Sequence, residues 1–458
     1  MTPDAANDLR LHDALRRART VDRRGRVVQA FGTTIRATGL NARSGQQVEI
    51  RDPAGGPSVK AEVVGLSDGA AILTPLTSLN GLGPEAEVIV GDERTEILSG
   101  PGRLGRVIHA FARPLDGLGP IAGPAAMRDV YADAPNPLDR PPISELFPTG
   151  VRAVDTLLSV GVGQRVGVFA MAGGGKSTLM GMFARHCAAD VNVIALIGER
   201  GREVREFLDD SLGPDGLARS VVVVATSDRP AMERVRAAHA ATAIAEGFRV
   251  QGRRVMLQMD SVTRFARALR EIGLSVGEPA VRRGFPPSVF AELPRLFERA
   301  GAIEGGSITA FYTVLIEDEE GGDPIGEEVR SILDGHIYLS RKLAQANHYP
   351  AIDPLTSLSR VFPRVTSREH QAAAGKVRAW LARYAEIEFL LQIGEYKPGG
   401  DPLADEAVQR MPALRILLQQ GAHEGIGAED ALHQLMAAAS WAGGIGAPPC
   451  AACCACGP

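Results

Sequence analysis

Apolar and polar positions change rhythm twice along the chain. Between residues 27 and 100 the apolar runs are short and break at Gly, Asn, Asp and Pro, as in GRVVQAFGTTIRATG, QQVEIRD, VKAEVVGL, AAILTPL and AEVIVGD. Closely spaced short strands of this kind predict a small sandwich or barrel. From 148 to 365, longer apolar runs alternate with helical stretches. VGVFA (166–170), VNVIALI (191–197), SVVVVAT (220–226), RRVMLQMD (253–260) and SITAFYTVLI (307–316) read as buried strands. With helices between them they predict βαβ units and a mostly parallel α/β sheet. A Pro/Gly-rich connector over 101–147, containing RPLDGLGPIAGP and ADAPNPLDRPPI, is expected to cross between the two units in extended form. From 366 to 440 the pattern is helical, as in EHQAAAGKVRAWLARYAEIEFLLQIG and DPLADEAVQRMPALRILLQQ.

The ends read differently. Within 1–26, Leu11, Leu15 and Ala18 fall at i, i+4 and i+7, which suits a short amphipathic helix. Such a segment either docks on a partner or anionic surface, or is a solvated end. Residues 441–458 form an Ala/Gly/Pro-rich tail that crowds Cys450, Cys453, Cys454 and Cys456 together. Four thiols at that spacing suit zinc, but nothing around them supplies a packed outer shell, and a reduced, loose tail is expected.

Composition then excludes some classes. The 458 residues carry 50 Lys+Arg against 54 Asp+Glu, a formal net charge of -4, which argues against a chain that coats nucleic acid. The β-rich stretch 27–100 holds five basic residues, nine acidic ones and a single aromatic, Phe31. A single-strand-binding barrel needs a basic groove and stacking platforms, so this one reads as an assembly collar. No apolar run approaches the ~18 residues of a membrane span, and the charged N-terminus lacks a signal-peptide pattern. A cytoplasmic protein is expected.

The strongest chemical signal is Ala170-Met171-Ala172-Gly173-Gly174-Gly175-Lys176-Ser177-Thr178, directly after the strand VGVFA and at the start of a helical stretch. That is a P-loop in its proper context, departing from the usual pattern in having Ala170 where the first glycine stands. Its glycines turn backbone N–H groups toward phosphates, Lys176 reaches the β- and γ-phosphates, and the Ser177 hydroxyl suits Mg²⁺. Asp260 closes the strand VMLQMD, where a Walker-B Asp holds the magnesium shell. Gln258 interrupts that same apolar run without an evident reason. Glu199 ends the strand after the P-loop helix, within the crevice that strand ends share, and suits a general base for water.

In chain order the P-loop, GERGREV, MDSVTRFARALREIG, GEPAVRRGFPPSVF, ERAGAIEGGSITAFYTVL and ILDGHIYLSRKLAQANHYPAIDPLTSLSRV resemble the ATPases of type III protein secretion systems. These are relatives of the flagellar export ATPase and of the catalytic subunit of the rotary ATP synthase. The resemblance runs from about residue 25 to 425, and the tail LLQIGEYKPGGDPLADEAVQRM looks more like the secretion branch than the flagellar one. It implies a six-stranded N-terminal barrel, a RecA-like P-loop ATPase core and a helical C-terminal domain facing chaperone–cargo complexes. By motif, Ala172, Gly173, Gly174, Gly175, Lys176, Ser177 and Thr178 would bind the nucleotide phosphates, with Ser177 and Asp260 on Mg²⁺. Glu199 would be the catalytic carboxylate, and Arg200 and Arg264 would lie near the γ-phosphate. Tyr349 would pack on adenine, and Arg360 would be the arginine finger of a neighbouring subunit.

The resemblance further implies ATP as substrate and a homohexamer at the cytoplasmic face of the inner membrane. Its expected partners are a stator-like regulator, a central stalk protein, the export gate and chaperone–effector complexes. The loop 277–290 would be the pore element, with Arg282 and Arg283 meeting an acidic partner, and no nucleic acid is expected. Rival readings are the flagellar export ATPase, a RecA-like hexameric nucleic-acid translocase and a catalytically silent ring subunit.

Overall fold

The computed structural model describes residues 24–440 apart from 32, 57, 78, 80, 84, 92–94, 172 and 317–321. The amphipathic stretch ahead of the barrel, the cysteine-rich tail and Ala172 of the P-loop therefore lie outside the described residues, save 24–26, which begin the first strand.

Six strands, β1 (Arg24–Phe31), β2 (Thr34–Thr38), β3 (Gln47–Arg51), β4 (Val59–Ser67), β5 (Ala70–Pro75) and β6 (Glu87–Val90), close a barrel in the order β1-β2-β5-β4-β3-β6. Alternation decides which side chains fill it: Ile35, Ala37, Val48, Ile50 and Leu73 point inward, as a period of two requires. Asp68 and Gly69, both at positive φ (52° and 72°), make the tight turn that pairs Ser67 with Ala70.

The segment after the barrel does more than cross. β7 (Glu96–Ser99) pairs antiparallel with β9 (Ala126–Asp129) in a ribbon of its own, and β8 (Arg106–His109) enters the central sheet beside β12 (Ser220–Ala225). Asp116 holds this excursion in place. It accepts a bidentate pair from Arg106 at 2.7 and 2.9 Å and the backbone N–H groups of Val107 and Leu118.

The sheet is completed by β10 (Arg165–Ala170), β11 (Val191–Ile197), β13 (Arg254–Asp260), β14 (Gly301–Ile303), β15 (Gly306–Leu315), β16 (Gly335–Leu339) and β17 (Ile352–Ser359). Its order is β17-β16-β10-β15-β13-β11-β12-β8, with β14 on β15; β14 and β17 are antiparallel and the other pairings parallel. The central strands are buried on both faces, which is why their sequences run apolar without alternation. The helix Ala231–Val250 is buried nearly all round because the ribbon of β7 and β9 covers the side turned away from the sheet. Its approach to the ribbon is close: a Cβ on Gly247 would meet Ser99 Oγ at 2.2 Å, and that hydroxyl donates to the Ile244 carbonyl at 2.9 Å.

Helices Arg368–Gln392, Pro402–Leu418 and Ala428–Ser440 follow. Ser367 and Asp401 cap the first two through bonds to the first-turn N–H groups of His370, Leu403 and Ala404. Their apolar faces, with Val377, Trp380, Leu414 and Leu435, join the same core as Leu179 and Phe183 of the helix after the P-loop. No helix among the described residues is long and apolar enough to cross a membrane.

A buried ion pair locks the connector to this body. Arg299, almost wholly buried, donates to Glu246 at 2.9 and 2.7 Å and to the Val130 carbonyl at 2.6 Å. Removing one partner leaves the other charge uncompensated in the interior. Arg299→Met is expected to destabilise the protein by roughly 3–5 kcal/mol, read as a lowered denaturation midpoint. A midpoint equal to that of the unchanged protein would show the pair to be dispensable.

Candidate active site

β10 delivers the P-loop at the C-terminal edge of the sheet. Ala170, where the usual motif has glycine, is still inside that strand: it pairs with Leu315 and Leu339, and its carbonyl accepts from the Ile316 N–H. Extended backbone there makes no demand for glycine. The demand begins at Gly173 and Gly175, at φ 80° and 81°. A Cβ on Gly173 would meet nothing within 4 Å, so the inner face of the loop is open. The helix Lys176–His186 starts at once, with the first-turn N–H groups of a helix N-terminus turned toward the loop. Ser177 and Thr178 are exposed on that turn.

Lys176 reaches back across the neighbouring strand ends. Its ammonium is ion-paired with Asp260 at the end of β13 and lies 3.4 Å from Glu199, just past the end of β11. The Arg264 Nε comes within 3.9 Å of the same Glu199 oxygen. The register brings them together, since Leu196 pairs with Asp260 across β11 and β13. Glu199 is held by its own backbone, whose carbonyl accepts from the Ser227 N–H at 3.0 Å. Gly198 before it stands at φ 70°, and a Cβ there would meet the Arg264 stem at 2.7 Å. The glycine of GER thus makes room for the arginine of DSVTR.

Burial dominates the electrostatics of this cluster. It pushes the Glu199 carboxyl up to about 7 against the pull of the Lys176 ammonium, and the Asp260 charge adds to the rise. For Lys176, burial works against the charge, but Asp260 and Glu199 outweigh it and the ammonium is held above its ordinary value.

Not every residue expected here is present in the cluster. The Arg200 side chain, 74% exposed, turns to Glu203 at 3.3 Å, and Glu203 in turn caps the Arg200 N–H. Arg360 is exposed and sits at the other end of the sheet. Ser359 of β17 pairs with Gly335 at the start of β16, and β16 runs parallel to β10, so Arg360 lies at the edge opposite the P-loop. Its backbone N–H is anchored to the Asp334 carbonyl at 3.0 Å. Tyr349, by contrast, does reach the loop. A Cβ on Gly175 would stand 3.3 Å from its ring, and a cavity of about 210 Å³ opens between Tyr349, Gly173, Gly174, Met171, Arg341 and Gln345. In the loop 277–290, Arg282 is bound within the chain, to Glu327 at 2.7 Å and Glu328 at 3.5 Å.

Two models of known families match. Residues 150–359 fit the nucleotide-binding domain of the ATP synthase alpha/beta family, and residues 366–437 fit the T3SS EscN ATPase C-terminal domain. The chain is 56% identical to a type 3 secretion system ATPase of Xanthomonas euvesicatoria, over 87% of this chain and 90% of that one. The chain belongs to the type 3 secretion system ATPase family. It is thus an ATP-hydrolysing enzyme of type III protein secretion. The flagellum-specific ATP synthase of Bacillus subtilis is 47% identical, over 90% of this chain and 94% of that one. Among solved structures, assembled EscN of enteropathogenic E. coli is 45% identical, with a TM-score of 0.86 over 91% of this chain and 100% of that one. EscN in complex with its central stalk EscO matches at a TM-score of 0.84, at the same identity and coverage.

The fold of this secretion ATPase also gathers residues that its sequence did not single out. Thr313 on β15 donates its hydroxyl to Asp260 Oδ1 at 2.7 Å, which fixes the carboxylate's orientation. In a buried strand a threonine reads as β-branched filling, so no pattern marked it. Gln258, the polar break in β13, donates to the Met180 carbonyl at 2.9 Å and ties that strand to the P-loop helix. Arg341 and Gln345 face the loop because they begin and end the short helix before Tyr349.

Because the Glu199 carboxyl is raised by burial, the protonated form dominates below about pH 7 and the carboxylate above it. If the carboxylate is the working form, kcat/KM for ATP rises with pH through an inflection near 7. A pH–rate profile flat from 6 to 8.5, set by the range of the assay, would contradict this.

Proposed function

We propose that this ATPase works as a closed homohexamer whose active sites lie between subunits. The observation that carries the reading is the separation of parts within one chain. Lys176, Glu199 and Asp260 meet at one edge of the sheet, while Arg360 lies at the opposite edge, out of reach of its own P-loop. That topology supports Arg360 as an arginine finger for a neighbour's nucleotide, and in a ring every subunit can both give and receive one. The similar EscN, solved as an assembled ATPase, supports the same arrangement.

In this reading Ala172, Gly173, Gly174, Gly175 and Thr178 cradle the phosphates, and Lys176 exchanges its carboxylate partners for phosphate oxygens. Ser177 and Asp260 would hold Mg²⁺. They fit it as hard oxygen donors, and among the described residues no cluster of three or more His, Cys, Asp or Glu forms a metal site by itself. A cation that completes its shell with water and phosphate oxygens is therefore the one expected. Bound there, it supplies charge neutralisation to the triphosphate. Thr313 keeps Asp260 turned to the site. Glu199, freed of Lys176, accepts a proton from the attacking water. Arg264 lies beside Glu199, and Arg200, exposed beside Glu203, is proposed to turn toward the γ-phosphate. Tyr349 packs on adenine.

ATP turnover then releases chaperones from export substrates and unfolds those substrates for secretion. The partners proposed are a central stalk in the pore, a stator-like regulator, the export gate and chaperone–effector complexes. The similar EscN was solved with its stalk EscO, which supports the first. Arg282 and Arg283 remain the residues proposed to face the stalk, although Arg282 must leave Glu327 to do so. The ring would sit at the cytoplasmic face of the inner membrane. The C-terminal match to the secretion branch favours this machine over the flagellar one.

Two variants test the division of labour. Glu199→Gln is expected to lower kcat by ~10²–10⁴-fold with ATP still bound. Arg360→Ala is expected to lower it by ~10³-fold or more. Rate per subunit should climb with protein concentration as light scattering registers a six-fold species. A constant rate from a monomer would remove the trans assignment of Arg360.

A further inference from the structure

We propose that Gln420, in the loop after the helix Pro402–Leu418, is a positioning residue for the base-binding side of the nucleotide site and acts through Tyr349. Gln420 is buried, and both its amide hydrogens and its amide oxygen are bonded. Its Oε1 accepts from the Arg152 N–H at 2.7 Å, and its Nε2 donates to the carbonyls of Gly150 and Glu424, both at 2.8 Å. So fixed, its own backbone N–H donates to the Tyr349 carbonyl at 3.0 Å.

The loop is braced from a second direction. The Arg152 guanidinium donates to the Ile416 carbonyl at 3.1 Å and to Glu424 at 2.7 Å, and Glu424 accepts from the Gly421 N–H at 3.0 Å. The residues that open the nucleotide domain, 150–152, and the loop that ends the long helical hairpin thus form one rigid piece. On the other side of Tyr349, the His348 N–H donates to the Leu343 carbonyl at 3.0 Å. The tyrosine backbone is therefore held between a helix of the nucleotide domain and a loop of the C-terminal domain. The residue is 39% exposed, and it lines the cavity at the P-loop.

None of these bonds goes to the phosphate loop, and where the loop carrying Gln420 is bonded to the P-loop helix, through Arg185 to the Ala422 carbonyl, it is at that helix's last turn, away from Lys176. Gln420 therefore governs where the ring stands while leaving the phosphate cradle alone. The expected signature is a split between the two halves of the nucleotide. This inference rests on Tyr349 being the adenine platform, and the experiment separates the two claims.

In the full-length protein, Gln420→Leu is expected to raise KM for ATP about tenfold with kcat within about twofold. Inhibition by inorganic tripolyphosphate, which has no base, should keep its strength. Gln420→Glu, of the same size and still able to accept from the Arg152 N–H, should give the same split to a smaller degree. Tyr349→Leu should reproduce the split, and adding Gln420→Leu to it should change KM by less than about twofold, because both act through one contact. If Tyr349→Leu weakens ATP and tripolyphosphate equally, or neither, the adenine reading fails. If Tyr349→Leu gives the split while both Gln420 variants leave KM unchanged or weaken tripolyphosphate equally, Gln420 holds the domain without positioning the base, and the inference is overturned.

Discussion

One buried ammonium between two carboxylates organises this enzyme. Lys176 leaves the first turn of the P-loop helix and meets Asp260 and Glu199, which end two other strands of the same sheet. Three charges at a crowded interior edge are stable only while they satisfy one another. In the proposed reading a triphosphate brings negative charge to the ammonium and frees both carboxylates for other work. The two carboxylates and that triphosphate would therefore compete for one ammonium. The strand order of the sheet serves this contact, since it sets β13 and β11 on the same side of the P-loop strand.

How much of this can be read without the structure depends on what each residue answers to. The strands β10, β11, β12, β13 and β15 are legible because burial on both faces makes them predominantly apolar, with polar residues such as Gln258 and Thr313 as single breaks. β8 is not: it is four residues long, RVIH, inside a Gly/Pro-rich stretch, and its partner β12 lies more than a hundred residues on. β7 falls inside the stretch 27–100 assigned to the barrel but pairs with β9, and backbone at Gly100 and Gly102 packs onto Pro124 and Ala122 too closely for a side chain. Glu199 and Asp260 are legible from their places at strand ends, and Lys176 from the glycine-rich motif that precedes it. Thr313 and Gln420 are not, since their partners are a carboxylate and main-chain groups that approach only on folding. The Arg200 side chain has room to lie on Glu203 or turn inward, and sequence does not decide between conformers of an exposed arginine.

The C-terminal helices are more than an appended domain. They share a hydrophobic core with the P-loop helix, and the loop after Leu418 is bonded to Tyr349. Whatever shifts those helices therefore shifts one wall of the cavity between Tyr349 and the P-loop. If the proposed adenine site is that cavity, nucleotide binding biases the helices in return, by the reciprocity of linked equilibria.

The excursion of β8 has a mechanical meaning. It makes the outermost parallel strand of the sheet a direct continuation of the chain leaving the barrel, with Asp116 clamping the splice. At the opposite border, β17 runs straight on into the segment that leads to the C-terminal helices. The sheet is thus gripped at both margins, like a plate clamped along two edges, with its reactive residues on the strands between. A torque applied to either grip is carried through stiff, hydrogen-bonded strands to the place where Glu199 is hung from the loop following β12.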